Sequence, residues 1–308
     1  MIRTEKLTKY YGMLGAVVNL DLDIQAGEIF GFIGPNGAGK TTTMRLLATL
    51  IEATAGRAWI DGLDVAKQGR DVRRRIGYMP DFMGVYDDLK VFEFLEFFAA
   101  AYGIPLGKRP GIIGGVLELT DLAGKRAAQV DSLSRGMQQR LQLARVLIHD
   151  PKVLILDEPA SGLEPRARIE IRELLKELKR MGKTIMISSH ILSELAELCD
   201  RFGIIEQGKL LFSGTLAEIH HRMGLHGKVR VRVADRTPEA LAALAALPQV
   251  AGAREEGGAI CVTFAEGQTV DGLIAETLVR GGFRLVALVP EEVKLDDAFL
   301  ALTRGQVQ

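Results

Sequence analysis

The feature that most constrains this chain is a glycine-rich segment at residues 34–42, which reads GPNGAGKTT. An apolar run at residues 29–33 precedes it and predicts a buried strand, and the apolar spacing after it predicts a helix. Between a strand and a helix, this spacing of glycines before Lys and Thr is typical of a phosphate-binding loop. Its backbone N–H groups can face a polyphosphate, and the helix dipole points its positive end there. The sequence predicts a nucleoside triphosphate site in an α/β fold.

The residue types of the loop predict separate tasks. We expect Lys40 to reach the β- and γ-phosphates and the Thr41 hydroxyl to hold Mg²⁺. The loop residues predicted to bind the nucleotide are Gly34, Asn36, Gly37, Ala38, Gly39, Lys40, Thr41 and Thr42.

Two adjacent carboxylates, Asp157 and Glu158, follow a second apolar run at residues 153–156. Neighbouring residues on an extended strand point to opposite sides, so these carboxylates can take different roles. We predict that Asp157 holds Mg²⁺ together with Thr41 and that Glu158 polarises the water attacking the γ-phosphate. The next strand delivers His190 to the same sheet edge, where parallel α/β sheets bind ligands. Glu158, His190 and Lys40 are therefore the predicted catalytic residues.

The order of strands and helices predicts two domains. Their alternation up to residue 222 indicates a mostly parallel sheet covered on both faces, interrupted by a helical insertion at about residues 82–150. After about residue 224 the pattern becomes β-α-β-β-α-β, which is the ferredoxin-like arrangement. We predict an ATPase domain at residues 1–222 and a small α+β accessory domain at residues 223–308.

Composition excludes several classes of partner. The 39 basic residues balance the 39 acidic residues, so no global field favours nucleic acid. No run of about 18 apolar residues occurs, and we expect no membrane span in the chain itself. The two cysteines lie far apart without metal spacing, which indicates a reducing compartment.

Residues 133–140, LSRGMQQR, open a Gln- and Arg-rich helix and supply a second anion-binding helix start. Together with the glycine loop, the strand ending in Asp-Glu-Pro, the segment SGLEP at residues 161–165 and the Ser-His strand end, they resemble the ATP-binding cassette (ABC) ATPases over roughly residues 1–222. The resemblance implies a P-loop NTPase (RecA-like) core with antiparallel N-terminal strands. It also implies ATP hydrolysis, with ATP and Mg²⁺ as cofactors.

The resemblance further assigns nucleotide contacts outside the loop. Tyr11 matches the aromatic residue that stacks on adenine, and Tyr10 is the near alternative. In the family, two cassettes pair head to tail and hold ATP between the P-loop of one and the helix start of the other. Ser134 and Gly136 match that helix start, and His190 resembles the histidine that contacts the γ-phosphate. We therefore expect a second ATPase subunit as partner, in a homodimer.

Three residues depart from the commonest family pattern. Asp81 stands where many relatives carry a Gln that reaches Mg²⁺, and Asp can still ligate the ion directly or through a water. Arg135 replaces a Gly, and it either adds a cation near the phosphates or, as we favour, points to solvent. Glu164 replaces an Asp in the loop that crosses between subunits. Asp81 joins Thr41 and Asp157 as a predicted metal ligand.

A dense group of aromatic residues follows Asp81. Its members are Phe82, Tyr86, Phe92, Phe94, Phe97, Phe98 and Tyr102. They fit either the core of the helical insertion or a hydrophobic groove that receives a short helix of a partner. In the second interpretation, separate membrane-spanning permease subunits dock near residues 81–102.

These features predict the ATP-binding and ATP-hydrolysing subunit of an ABC transporter that powers export through separate membrane-spanning subunits. Residues 295–303 resemble the end of subunits from the bacterial drug, antibiotic and ion export group. The expected location is cytoplasmic, peripheral on the inner face of the cell membrane. The alternatives are a soluble ABC ATPase acting on ribosomes or DNA and a regulatory cassette without transport.

Overall fold

The computed structural model describes residues 1–81, 84, 88–189, 191–222, 228–265 and 272–291. Its strands are β1 (Ile2–Tyr11), β2 (Leu14–Ile24), β3 (Ile29–Ile33), β4 (Ala55–Ile60), β5 (Leu63–Asp64), β6 (Ile76–Met79), β7 (Val153–Leu156), β8 (Thr184–Ser188), β9 (Arg201–Glu206), β10 (Lys209–Gly214), β11 (Lys228–Val233), β12 (Val250–Glu256), β13 (Ala259–Phe264) and β14 (Leu285–Glu291). Its α-helices are α1 (Lys40–Leu47), α2 (Gly69–Arg75), α3 (Val91–Ala101), α4 (Arg109–Leu119), α5 (Arg135–Leu147), α6 (Pro165–Arg180), α7 (Leu192–Leu198), α8 (Leu216–Arg222), α9 (Thr237–Ala245) and α10 (Leu273–Arg280).

The contacts within the chain divide it into two compact units. The first contains Met1–Thr215, and the second begins at Leu216. Each unit has its own hydrophobic core.

The first unit contains two sheets. The larger has the strand order β10-β9-β3-β8-β7-β6, in which neighbours from β6 to β9 run parallel and β10 runs antiparallel to β9. The smaller is antiparallel, in the order β2-β1-β4-β5. Every residue of β3, β7 and β8 is buried, as expected for parallel strands covered on both faces. The P-loop NTPase fold predicted from the sequence is observed.

Strand β3 lies at the centre of the larger sheet, between β8 and β9. Parallel neighbours end at the same edge, so the loop after β3 and the residues after β7 and β8 meet there. Phe30 and Phe32 are completely buried and fix the strand against the core. This packing places the glycine loop and the two carboxylates at one edge.

A helical segment separates β6 from β7. It consists of α3, α4 and α5, with short 3₁₀ turns at Leu106–Lys108 and Ala123–Lys125. Phe94 is 1% exposed, so part of the aromatic group belongs to the helix core. Phe97 and Tyr102 remain 55% and 44% exposed. Phe82 and Tyr86 lie outside the described residues.

The second unit contains one antiparallel sheet with the strand order β12-β13-β11-β14. Valine side chains at alternate positions of β11 face the core, while Arg230 and Arg232 between them are exposed. Helices α9 and α10 contribute Leu244 and Leu278 to the same core. The alternation explains the basic outer face of β11.

Candidate functional site

The glycine loop connects β3 to α1, and its backbone admits no side chain at two positions. A Cβ on Gly34 would lie 2.3 Å from the carbonyl oxygen of Ile205, and one on Gly39 would lie 2.3 Å from that of Ala16. Gly39 also has φ +106°, and Gly37 has φ +80°. These left-handed conformations favour glycine. The glycines are therefore required by the tight packing of the loop as well as by its curvature.

Lys40 begins α1 and turns back over the loop. Its Nζ donates hydrogen bonds to the carbonyl oxygens of Gly34 at 2.6 Å and Pro35 at 3.2 Å. Burial lowers the pKa of Lys40 from its usual 10.5, and the nearby carboxylates of Glu158, Asp157 and Asp81 oppose that shift. When a phosphate binds, the Lys40 ammonium group can therefore exchange these carbonyl acceptors for phosphate oxygens.

A cleft of about 340 Å³ opens over the loop. Its lining residues are Tyr11, Leu14, Ala16, Pro35, Asn36, Gly37, Ala38, Gly39, Lys40, Thr41, Thr42, Asp81, Asp157 and Glu158. Most of the predicted nucleotide contacts, the three predicted metal ligands and two of the predicted catalytic residues thus share one cleft. Gly34 is buried beneath the loop and does not line it.

Of the two tyrosines considered for adenine, Tyr11 lines the cleft and Tyr10 does not. Tyr11 is 48% exposed, and the Lys9 ammonium lies 5.3 Å from the centre of its ring. Tyr10 packs instead near Gly15, where an added Cβ would lie 3.1 Å from its ring. Both rings are about half exposed, so the position of Tyr11 at the cleft makes it the one available for stacking.

Asp157 follows β7 and is 1% exposed. Its Oδ1 accepts a 2.6 Å hydrogen bond from the Ser188 hydroxyl, which in turn accepts one of 2.9 Å from the Glu158 backbone N–H. Its Oδ2 is buried and has no hydrogen-bond partner within the described part of the chain. A buried carboxylate oxygen with no donor is costly. This arrangement fits a cation ligand beside the glycine loop.

The protein supplies few ligands at this position, which suits Mg²⁺. Thr41 offers a hydroxyl and Asp81 a second carboxylate at the same cleft. No group of three or more His, Cys, Asp or Glu side chains suited to a metal ion occurs in the residues that the structure describes. Mg²⁺ is commonly held by one or two carboxylates, with substrate phosphates and water completing its shell. The residues present therefore fit this ion.

Glu158 has a left-handed backbone, with φ +51°. This conformation is uncommon for a residue other than glycine, and strain of this kind clusters at functional sites. The hydrogen bond from its N–H to Ser188 stabilises the turn. The backbone therefore directs Glu158 into the cleft while Asp157 remains buried beside it.

The structure does not bring Ser134 and Gly136 to this cleft. Ser134 is the N-cap of α5, where its hydroxyl accepts a 3.4 Å hydrogen bond from the Met137 N–H. Neither residue lines the pocket that contains Lys40. His190, the third predicted catalytic residue, lies outside the described residues.

Two features escaped the sequence analysis. Ser188 links Asp157 to Glu158, and its position at the end of the strand beside β7 was the available signal. Arg135 is exposed, as favoured, yet its guanidinium occupies the space that a Cβ on Gly162 would need. Arg135 is thus exposed to solvent and also lies over Gly162, a contact that the sequence did not predict.

Within the residues that the structure describes, none of the helices is both long and apolar enough to cross a bilayer.

Comparison with known proteins identifies the family. The family described as "ABC transporter" matches residues 17–161. The linearmycin resistance ATP-binding protein LnrL of Bacillus subtilis is 31% identical over 306 residues, 98% of each chain. The bacitracin transport ATP-binding protein BcrA of Bacillus licheniformis is 44% identical over 212 residues, 68% of each chain. An ABC transporter ATP-binding protein of Synechocystis is 42% identical over 202 residues, which are 65% of this chain and 56% of that relative.

A solved structure agrees with this assignment. It is a dimeric ATP-binding cassette in a post-hydrolysis state with ADP and Pi, with a TM-score of 0.64 and 25% identity over 70% of this chain and 99% of its own. The present chain belongs to the ABC transporter family, as an ATP-binding subunit with ATPase activity. The predicted family and activity are confirmed, and the transporter is favoured over a soluble ABC ATPase acting on ribosomes or DNA.

Proposed function

We propose that this chain couples ATP hydrolysis to export through separate membrane-spanning subunits. The observation that carries the proposal is the cleft in which the glycine loop, Lys40 and Thr41 face Asp157 and Glu158. Export is supported by a relative named Nod factor export ATP-binding protein I, which is 38% identical over 219 residues. Transport is supported by the relative named for bacitracin transport.

ATP enters the cleft with its phosphates on the glycine loop. Loop N–H groups and the α1 N-terminus bind the β- and γ-phosphates, and Lys40 exchanges two carbonyl acceptors for phosphate oxygens. The adenine stacks on Tyr11, whose ring is half exposed at the cleft. Ser134 and Gly136 contribute from a second copy, which is consistent with their place outside this cleft.

Thr41, Asp157 and Asp81 would hold Mg²⁺. When bound, the ion neutralises charge on the phosphates. Asp157 would offer its Oδ2, which has no hydrogen-bond partner among the described residues, because Oδ1 accepts the hydrogen bond from Ser188. Glu158 acts as the general base that orients water and takes its proton, and His190 contacts the γ-phosphate. Asp157 therefore serves metal binding, and Glu158 serves proton transfer.

The working unit in this proposal is a homodimer bound to permease subunits. Dimerisation is supported by the dimeric cassette that this chain resembles. The permease docks near residues 81–102, where Phe97 and Tyr102 are exposed. The protein then lies in the cytoplasm, peripheral on the inner face of the membrane.

We assign the second unit to the ferredoxin-like class. The order β11-α9-β12-β13-α10-β14, with antiparallel pairing of β12-β13-β11-β14, supports this assignment. The division into an ATPase domain at residues 1–222 and an accessory domain at residues 223–308 stays a prediction.

The proposal is tested first by ATP turnover and pairing. Glu158→Gln should lower kcat by about 100-fold or more, because it removes the general base. The variant should bind MgATP and remain paired in light scattering, whereas the wild type returns to single copies after hydrolysis. Glu118→Gln, an exposed change on α4, is the matched control and should behave as wild type. Equal turnover in the wild type and Glu158→Gln would contradict the general-base assignment.

The transport step needs its membrane partner. Purification of the tagged chain from native membranes should recover a permease. Vesicles containing both proteins should hydrolyse ATP faster than the chain alone. Recovery of ribosomal particles or DNA instead of a membrane protein would contradict the export proposal.

A further inference from the structure

The guanidinium of Arg135 lies over the backbone of Gly162. A Cβ built on Gly162 would lie 2.3 Å from Nη2, 2.5 Å from Cζ and 2.7 Å from Nη1 of Arg135. Three atoms of the planar group thus crowd one glycine, which itself has φ +65°. Glycine is favoured here by its positive φ, and a Cβ would also meet the far end of the Arg135 side chain.

The first two turns of α5 make two further contacts, one with this segment and one with α6. Gln139 Nε2 donates a 2.6 Å hydrogen bond to the carbonyl oxygen of Pro159. A Cβ on Gly136 would lie 3.0 Å from the Cβ of Ala167, so the start of α5 packs against α6. Arg135 and Gln139 are one helical turn apart and share a face. The start of α5 therefore holds the segment from Pro159 to Gly162 along that face.

This segment is directly attached to Glu158. The Ser161 N–H donates a 3.0 Å hydrogen bond to the Glu158 carbonyl oxygen, which closes a tight turn after the carboxylate. Leu163, at the other end, is 4% exposed, and its carbonyl oxygen accepts a 2.8 Å hydrogen bond from Arg168 Nε. Gly162 therefore lies between the anchored Leu163 and the turn that begins at Glu158.

The placement of Arg135 is not explained by an ion pair. No carboxylate lies within 4 Å of its guanidinium in the part of the chain that the structure describes. A planar guanidinium can pack flat on a backbone surface, which the ammonium of Lys does not reproduce. The contact between the guanidinium and Gly162 is therefore a packing contact and not an ion pair.

We propose that Arg135 is a positioning residue that couples the Ser134–Gly136 helix start to Glu158 of the same copy. The inference rests on the proposed function, in which this helix start binds the nucleotide of the paired copy. Engagement of that nucleotide moves the start of α5, and the contact of Arg135 with Gly162 carries the movement to Glu158. ATP bound at one site thus changes the position of Glu158, and with it the rate of hydrolysis, at the other site.

The test compares ATP dependence of turnover in the wild type, Arg135→Ala, Arg135→Lys and Arg166→Ala. Arg135→Ala should lower kcat by about 3- to 10-fold and bring the Hill coefficient to about 1, while the Kd for MgATP stays unchanged. Arg135→Lys should behave like Arg135→Ala, because charge is kept and planar packing is lost. Arg166 is 92% exposed and pairs only with Glu170 in the described residues, so its Ala variant should match the wild type.

A second variant attacks the same contact from the other side. Gly162→Ala should reproduce the loss of cooperativity, whereas Gly182→Ala, strained by a φ of +84° but in open space, should not. Arg135→Ala combined with Gly162→Ala should add little further loss. Wild-type kcat and Hill coefficient in Arg135→Ala would overturn the proposal, as would full restoration by Lys, which would assign the role to charge. A wild type that does not hydrolyse ATP or pair would instead overturn the proposed function, and this inference with it.

Discussion

Replacement of Ser188 by Ala should damage both the fold and the metal site. Ser188 is completely buried, and its hydroxyl connects the Asp157 carboxylate with the backbone N–H of Glu158. Ala has nearly the same volume, so the change removes two hydrogen bonds without leaving a large cavity. Asp157 is itself 1% exposed, so its carboxylate loses a hydrogen-bond donor at a buried position.

The magnitude follows from the two hydrogen bonds. A bond to a charged acceptor contributes about 1.5–3 kcal/mol, and the neutral bond from the N–H contributes about 1 kcal/mol. Ser188→Ala should therefore lower the free energy of unfolding by about 2.5–4 kcal/mol. Metal affinity should fall by about 10-fold or more, because the hydroxyl orients the ligand carboxylate.

Urea unfolding and nucleotide titration measure the two effects separately. Ser132→Ala is the matched control, because the Ser132 hydroxyl also donates a hydrogen bond, to the Gln129 carbonyl oxygen, but at an exposed position. The Kd for ATP should rise in Ser188→Ala with Mg²⁺ present and change little in EDTA. Unfolding energies and Mg²⁺ dependence equal to those of Ser132→Ala would refute the reasoning.

Three further outcomes are expected. Gly39→Ala should abolish nucleotide binding, because its φ is +106° and its Cβ would meet a carbonyl oxygen at 2.3 Å, whereas Gly111→Ala, in open space on α4, should bind ATP normally in the same titration. Tyr11→Ala should weaken binding of ATP by about 1–3 kcal/mol, and Tyr10→Ala should leave the Kd unchanged. A larger rise of the Kd in Tyr10→Ala would contradict the assignment of Tyr11. Burial lowers the pKa of His149 from 6.5, so the unfolded chain binds more protons as pH falls below 6.5. Unfolding energies should therefore drop on acidification more steeply for the wild type than for His149→Gln, and parallel profiles would contradict this.

Arg135 and Tyr11 show where analysis of the sequence reaches its limit. The sequence left Tyr10 and Tyr11 as alternatives, because both follow the first strand predicted from the sequence. The choice depends on the packing of Tyr10 near Gly15 from the paired strand β2. Arg135 likewise lies over Gly162, which is 27 positions further along the chain. No local pattern reports such a contact.

The sequence by itself determined the glycine loop, the carboxylates of Asp157 and Glu158 and the cassette family. Each depends on residue types within a few positions, where conformational preference and chemistry act locally. Tertiary structure alone decided that β3 lies between β8 and β9, with Phe30 opposite both Met186 and Arg201. This pairing joins segments more than 150 residues apart in the chain. The neighbours of a buried parallel strand depend on packing across the whole core and not on local sequence. The hydrogen bond from Ser188 to Asp157 likewise depends on tertiary structure, because it requires the pairing of β7 with β8.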